Sequence, residues 1–122
     1  YKTRKIVVDF MSHTYSRTQS LLKEFAQSTQ SADIIILNKI YSSARENAAD
    51  FNITGKTLYE ETVKCNSKDK VFYYEESTDA LDFVRSLIEE PVSSQYPDGY
   101  ILVTMGAGDN WKLGTKLIES YK

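Results

Sequence analysis

Cysteine is nearly absent: Cys65 is the single thiol in 122 residues. An internal disulfide is thereby excluded, and a lone thiol fits a reducing compartment such as the cytoplasm. Proline occurs twice and glycine five times, too sparsely for a collagen-like or a low-complexity disordered chain. Neither sign of charge dominates, because 15 Lys and Arg stand against 17 Asp and Glu, a formal net charge of −2. The dense basic field with which a nucleic-acid binder displaces counterions is missing. Long hydrophobic runs are missing too. The longest, 32–37 and 100–105, fall far short of the roughly 20 apolar residues of a membrane span, so neither nucleic acid nor membrane is an expected partner. The only histidine, His13, lies far from Cys65 in sequence, and the pair has no metal-ligand spacing. The opening Tyr1-Lys2-Thr3-Arg4-Lys5 is too short and polar for a signal peptide. A chain that starts on Tyr rather than Met reads as a piece of a longer polypeptide.

What is present has the size of one domain. Short β-branched runs alternate with longer stretches of helical spacing, the rhythm of an α/β layer. Strands are expected at 6–8 with Phe10, at 33–37, at 71–74 and at 100–105. The second is branched throughout, as in a strand covered on both faces. Helices are expected at 17–28, where Ser16 and Gln19 have the form of a capping box, at 56–64, from 77 or 78 to 90 before Pro91, and from Asp109 through Tyr121. Segments 41–54 and 91–99 read as loops. The sum is an α/β fold, a three-layer α/β/α Rossmann-like domain with a mostly parallel sheet of about four to five strands. Such sheets bind ligands beyond the carboxyl ends of their strands.

Two turns at those ends draw attention. The first, after the opening strand, is Met11-Ser12-His13-Thr14-Tyr15-Ser16-Arg17-Thr18. It gathers an imidazole, a phenol, a guanidinium and several hydroxyls beside the positive end of a helix. Helix amides and Arg17 suit a carboxylate or phosphate, and His13 can donate or accept near neutral pH. The alternative is that Thr14 and Ser16 only cap the helix while His13 and Arg17 stand solvated. The second turn is Met105-Gly106-Ala107-Gly108-Asp109-Asn110-Trp111. Its glycines permit positive φ or close approach to a ligand, and Asp109 is a good helix N-cap. A dinucleotide fingerprint would need a third glycine where Trp111 stands, so a simple tight turn is the competing reading. Gly55-Lys56-Thr57 copies the end of a phosphate-binding loop, but Asp50 occupies the place of that motif's first glycine.

Together the two turns resemble a pair of signatures. Phe10 through Thr18 looks like the His-x-Tyr/Phe-Ser/Thr-Arg-Thr segment in the C-terminal domain of the UDP-N-acetylmuramate–L-alanine ligases of the Mur ligase family. Thr104-Met105-Gly106-Ala107-Gly108-Asp109 is similar to that family's Thr-Met-Gly-Ala-Gly-Asp segment, and 32–37, Tyr41 and Ala44-Arg45-Glu46 fit between them in order. The resemblance covers about residues 5 to 118 and is loose over 51–97. It implies a cytoplasmic step of peptidoglycan synthesis in which ATP and Mg²⁺ drive amide formation between UDP-N-acetylmuramate and L-alanine. The muramyl carboxylate becomes an acyl phosphate, the alanine amine attacks it, and the tetrahedral intermediate expels phosphate. By resemblance, Arg17 holds the alanine carboxylate, His13 lines the amino-acid pocket and helps orient the amine, Tyr15 belongs to the same turn, and Gly106, Ala107, Gly108 and Asp109 form the neighbouring wall. No residue is assigned as a metal ligand, and no catalytic residue is firmly assigned, His13 being the candidate.

The chain also departs from the family. Met11-Ser12 replaces the usual Gln-Pro. The resemblance further implies that residues 1–122 lack the domain's first strand with its Asp-x-Tyr-x-His-His-Pro segment, the central domain that binds most of the ATP and Mg²⁺, and the N-terminal domain. The piece alone is therefore expected to be inactive. A murein peptide ligase of cell-wall recycling is the competing reading within the family, against which the His13/Arg17 segment argues. A non-catalytic receiver-like or nucleotide-sensing module is the competing reading outside it.

Overall fold

The computed structural model describes residues 3–41, 46–91, 93–106 and 108–122. Four strands form one parallel sheet: β1 (Lys5–Met11), β2 (Ile34–Leu37), β3 (Val71–Tyr73) and β4 (Tyr100–Gly106), in the spatial order β3-β2-β1-β4. Helices α1 (Tyr15–Ser20) and α2 (Leu22–Ser28) join β1 to β2, α3 (Gly55–Cys65) joins β2 to β3, α4 (Leu81–Glu89) joins β3 to β4, and α5 (Trp111–Glu119) ends the described chain. The α/β three-layer architecture expected from the sequence is the one observed.

Alternation along the strands builds two cores. Val7, Ile34 and Ile36 point to one face and pack with Val84 and Leu87 of α4 and Leu113 and Leu117 of α5. Val8, Ile35 and Leu37 point to the other, against Leu58 of α3 and, from α2, Leu22 and Phe25. All four residues of β2 are buried, as its branched composition requires for a strand covered on both sides.

Strand order creates the crevice. The chain moves outward from β1 to β2 to β3, then returns past β1 to lay down β4. Right-handed crossovers in opposite directions place helices on opposite faces. The reversal falls between β1 and β4, whose paired register ends at Met11 and Gly106. A ligand crevice is expected at that switch point.

Three helix starts differ from the sequence expectation. The first begins at Tyr15, not Arg17, because the cap is Thr14, whose Oγ1 accepts from the Arg17 amide at 3.2 Å. Ser16 lies inside α1, and Leu21 at φ −117° divides the expected single helix into α1 and α2. Helix α4 is preceded by a 3-10 turn, Ser77–Ala80. Helix α5 starts at Trp111 with Asn110, rather than Asp109, at the capping position. Asn110 makes no side-chain cap, because its amide is turned inward to the Asp9 and Met105 carbonyls at 3.0 and 2.8 Å.

Candidate functional site

The backbone pairing of β1 and β2 continues beyond the strands. Tyr41 N–H donates to the Ser12 carbonyl and Thr14 N–H to the Tyr41 carbonyl, both at 2.8 Å. His13 is thus set beside Tyr41, their rings 6.0 Å apart. The pairing also forces Thr14 to φ 62°, ψ 142°, a region costing a β-branched residue roughly 1–3 kcal/mol. Bonds on both sides hold it there: beyond its link to Tyr41, its carbonyl accepts the Thr18 hydroxyl at 2.7 Å, and the Ser12 and Thr18 hydroxyls, both buried, bond to each other.

The glycine turn closes against the same strand end. A Cβ built on Gly106 would lie 2.2 Å from the Met11 carbonyl oxygen, and one on Gly108 would lie 2.9 Å from the Tyr41 ring and 2.4 Å from the Met11 sulfur. Bare backbone is what lets β4's turn reach Tyr41. His13 and Gly108 therefore approach one phenol from different strand ends. A cleft of about 360 Å³ opens there, lined by Tyr15, Lys39, Ile40, Tyr41 and Asp109.

Arg17 is an exposed residue of α1, and among the described residues its guanidinium has no hydrogen bond or ion pair. Tyr15 and Asp109 share the cleft, whereas His13, Arg17, Gly106 and Gly108 do not line it. Ala107 lies outside the described residues, as do Ala44 and Arg45. The expectation that α1 amides hold an anionic ligand needs correction. Glu46 already occupies them, its two carboxylate oxygens accepting from Tyr15 N at 2.9 Å and Ser16 N at 3.0 Å. With those amides engaged by Glu46, the start of this six-residue helix is not open to a ligand.

Sequence reading passed over several residues that shape the cleft. Asp9 is fully buried in β1, where its Oδ1 accepts from Asn38 Nδ2 at 2.6 Å and its Oδ2 from the Ser77 hydroxyl at 2.8 Å. Burial raises its pKa, against the opposing pull of the hydrogen bonds from Asn38, Ser77 and Asn110. A single acid in the apolar run Ile6-Val7-Val8-Asp9-Phe10-Met11 was a readable signal, because a buried carboxyl requires partners. Lys39 is paired with Glu76, a contact that raises the lysine pKa. That pair joins segments far apart in sequence and left no local trace. Asp109 faces Lys112 at 3.5 Å. Among the described residues no three His, Cys, Asp or Glu side chains converge on a point where a metal ion could sit, and no helix is long and apolar enough to cross a membrane.

No family model matches the chain. Curated relatives do. The chain is 45% identical over 122 residues to the UDP-N-acetylmuramate–L-alanine ligase of Treponema pallidum strain Nichols, covering 100% of this chain and 23% of that protein. Against the ligase of the same name from Borreliella burgdorferi it is 34% identical over 113 residues, 93% of this chain and 22% of the relative. Against that of Caldanaerobacter subterraneus subsp. tengcongensis it is 34% identical over 122 residues, 100% of this chain and 24% of the relative. The chain thus spans about a quarter of the length of the relatives it matches.

Proposed function

We propose, because this chain belongs to the Mur ligase family and matches UDP-N-acetylmuramate–L-alanine ligases along its whole length, that it is the C-terminal domain of such an enzyme and supplies the amino-acid side of its active site. The reaction is ATP-dependent amide formation between L-alanine and the carboxylate of UDP-N-acetylmuramate in the cytoplasm. The observation that carries the reading is the whole-length match to alanine ligases, with the imidazole turn and the glycine turn meeting at Tyr41 where a doubly wound sheet binds ligands.

The chemistry assigns each group a task. Alanine arrives as a zwitterion, so its carboxylate needs a cation and its amine needs a path by which to lose a proton before attack. Arg17 is the cation: it is unpaired among the described residues, exposed, and two residues beyond Tyr15 of the cleft wall. With the α1 amides held by Glu46, substrate carboxylate falls to this guanidinium, which can present two parallel bonds. His13 stands at the mouth of the turn, half-buried against Tyr41, and orients the amine. Tyr15, Tyr41 and Asp109 wall the small pocket, and Gly106 and Gly108 keep that wall close. ATP would supply the activated acyl phosphate. Among the described residues no three His, Cys, Asp or Glu side chains form a metal site; by the family resemblance the nucleotide and Mg²⁺ would be held mainly by the central domain.

Arg17→Ala in the full-length ligase tests the assignment. The expected result is an L-alanine KM raised in proportion to a loss of roughly 1.5–3 kcal/mol of charge-assisted binding, with ATP and UDP-N-acetylmuramate saturation little changed. Unaltered alanine saturation would remove Arg17 from the site.

A further inference from the structure

The buried acid of β1 lies on both routes by which the cleft is held together. Asp9 sits between the neighbouring strands, opposite Ile36 of β2 and Thr104 of β4. Its carboxyl takes Asn38 on one oxygen and Ser77 on the other, and its backbone carbonyl takes the Asn110 amide, which also binds Met105 O. Ser77 adds a second link, its hydroxyl lying 3.2 Å from the Asn110 carbonyl. Two of the three anchored residues, Asn38 and Asn110, adjoin a wall of the cleft. Lys39, Ile40 and Tyr41 follow Asn38 directly, and Asp109 precedes Asn110. Among the described residues Asn38 has no other side-chain anchor, since its Oδ1 is buried without a hydrogen-bond partner.

We propose that Asp9 is a positioning residue for the cleft: through Asn38, Ser77 and Asn110 it holds the segment after β2, the turn before α4 and the turn after β4 at one fixed spacing. Backbone pairing with β1 sets both flanking strands and continues to Tyr41, but the two walls do not pair with each other, so their mutual spacing needs a further tie through β1. Directional bonds to a common carboxyl and its own carbonyl do define it. The consequence for substrate rests on the ligase reading above; the mechanical tie does not.

The test uses the full-length protein. Asp9→Asn keeps the shape of the side chain but replaces one acceptor oxygen with a donor that faces donors. Amide hydrogen exchange should quicken about tenfold, the equivalent of one net hydrogen bond, at Lys39, Tyr41, Lys112 and Leu113, while Val7 and Ile35 in the sheet centre keep wild-type rates. The L-alanine KM should rise by more than kcat falls. The exchanged pair Asp9→Asn with Asn38→Asp rebuilds an amide–carboxyl bond in the opposite sense and leaves an acceptor for Ser77, so it should bring both readouts back toward wild type. Uniform quickening across the sheet, unchanged exchange at the cleft, or no recovery in the exchanged pair would each overturn the proposal. Should Asp9→Asn fail to fold, Ser77→Ala, which removes the hydroxyl links and little volume, must show the same localised quickening, and wild-type exchange there would equally overturn it. If the parent protein shows no alanine-dependent turnover, the ligase reading fails while the exchange pattern still decides the tie.

Discussion

Asp9 gives stability a pH dependence whose sign follows from its surroundings. Burial raises its native pKa above the ordinary value of 3.8. Between that value and the raised one, the folded chain retains a proton that the unfolded chain has released. Stability attributable to this group therefore falls as pH rises through the window. Urea denaturation of wild type and Asp9→Asn from pH 3.5 to 8 should show the difference between them narrowing toward high pH; a difference that widens would contradict the burial argument. Gly106 makes a second residue-scale prediction. Its φ is 134° and a Cβ would meet the Met11 carbonyl at 2.2 Å, so Gly106→Ala should cost about 2 kcal/mol or more, measurable as a lowered urea midpoint with unchanged slope. The sequence flagged this glycine. The backbone that crowds it comes from β1 and could not be read locally.

At the scale of elements, caps decided where helices begin, and they were legible to different degrees. Thr54 and Thr57 form a reciprocal pair in which each side chain accepts from the other residue's backbone amide, close to the start at residue 56 expected for this helix. Thr54→Ala should therefore destabilise the fold by about 1 kcal/mol, seen as a lowered thermal midpoint. The first and last helices were misread for different reasons. Ser16 and Asp109 have the chemistry of caps, but Thr14 caps the first helix locally, two residues earlier, and Asn110 holds the capping position of the last with its amide on Asp9 and Met105. Only in the last helix does a partner from distant sequence engage the capping residue. Helix α5 also divides its apolar residues: Leu113 and Leu117, four apart, are buried, while Trp111 and Ile118 are exposed, as a 3.6-residue period dictates.

For the whole molecule, the relevant quantity is how much of its relatives the chain covers. The chain spans about a quarter of the ligases it matches. Residues 1–122 supplied with ATP, Mg²⁺, L-alanine and UDP-N-acetylmuramate should release no phosphate above background, measured by a coupled phosphate assay. Turnover by this chain alone would place the nucleotide site within it. The parallel sheet and both cores were readable, because branched strands and amphipathic helices announce themselves through period and composition. His13, Tyr15, Arg17, Gly106, Gly108 and Asp109 stood out as reactive or permissive residues at strand ends.

Composition and local pattern alone determined the layers of this protein, its strand and helix types and the two turns that carry the candidate site residues. Only the tertiary structure decided that Glu46 fills the α1 amides, that Lys39, Tyr41 and Asp109 share a cleft, and that Asp9 ties its walls together. The reason is distance along the chain: burial and hydrogen bonding select partners in space, and residues brought together by crossovers leave no periodic trace in the segments from which they come.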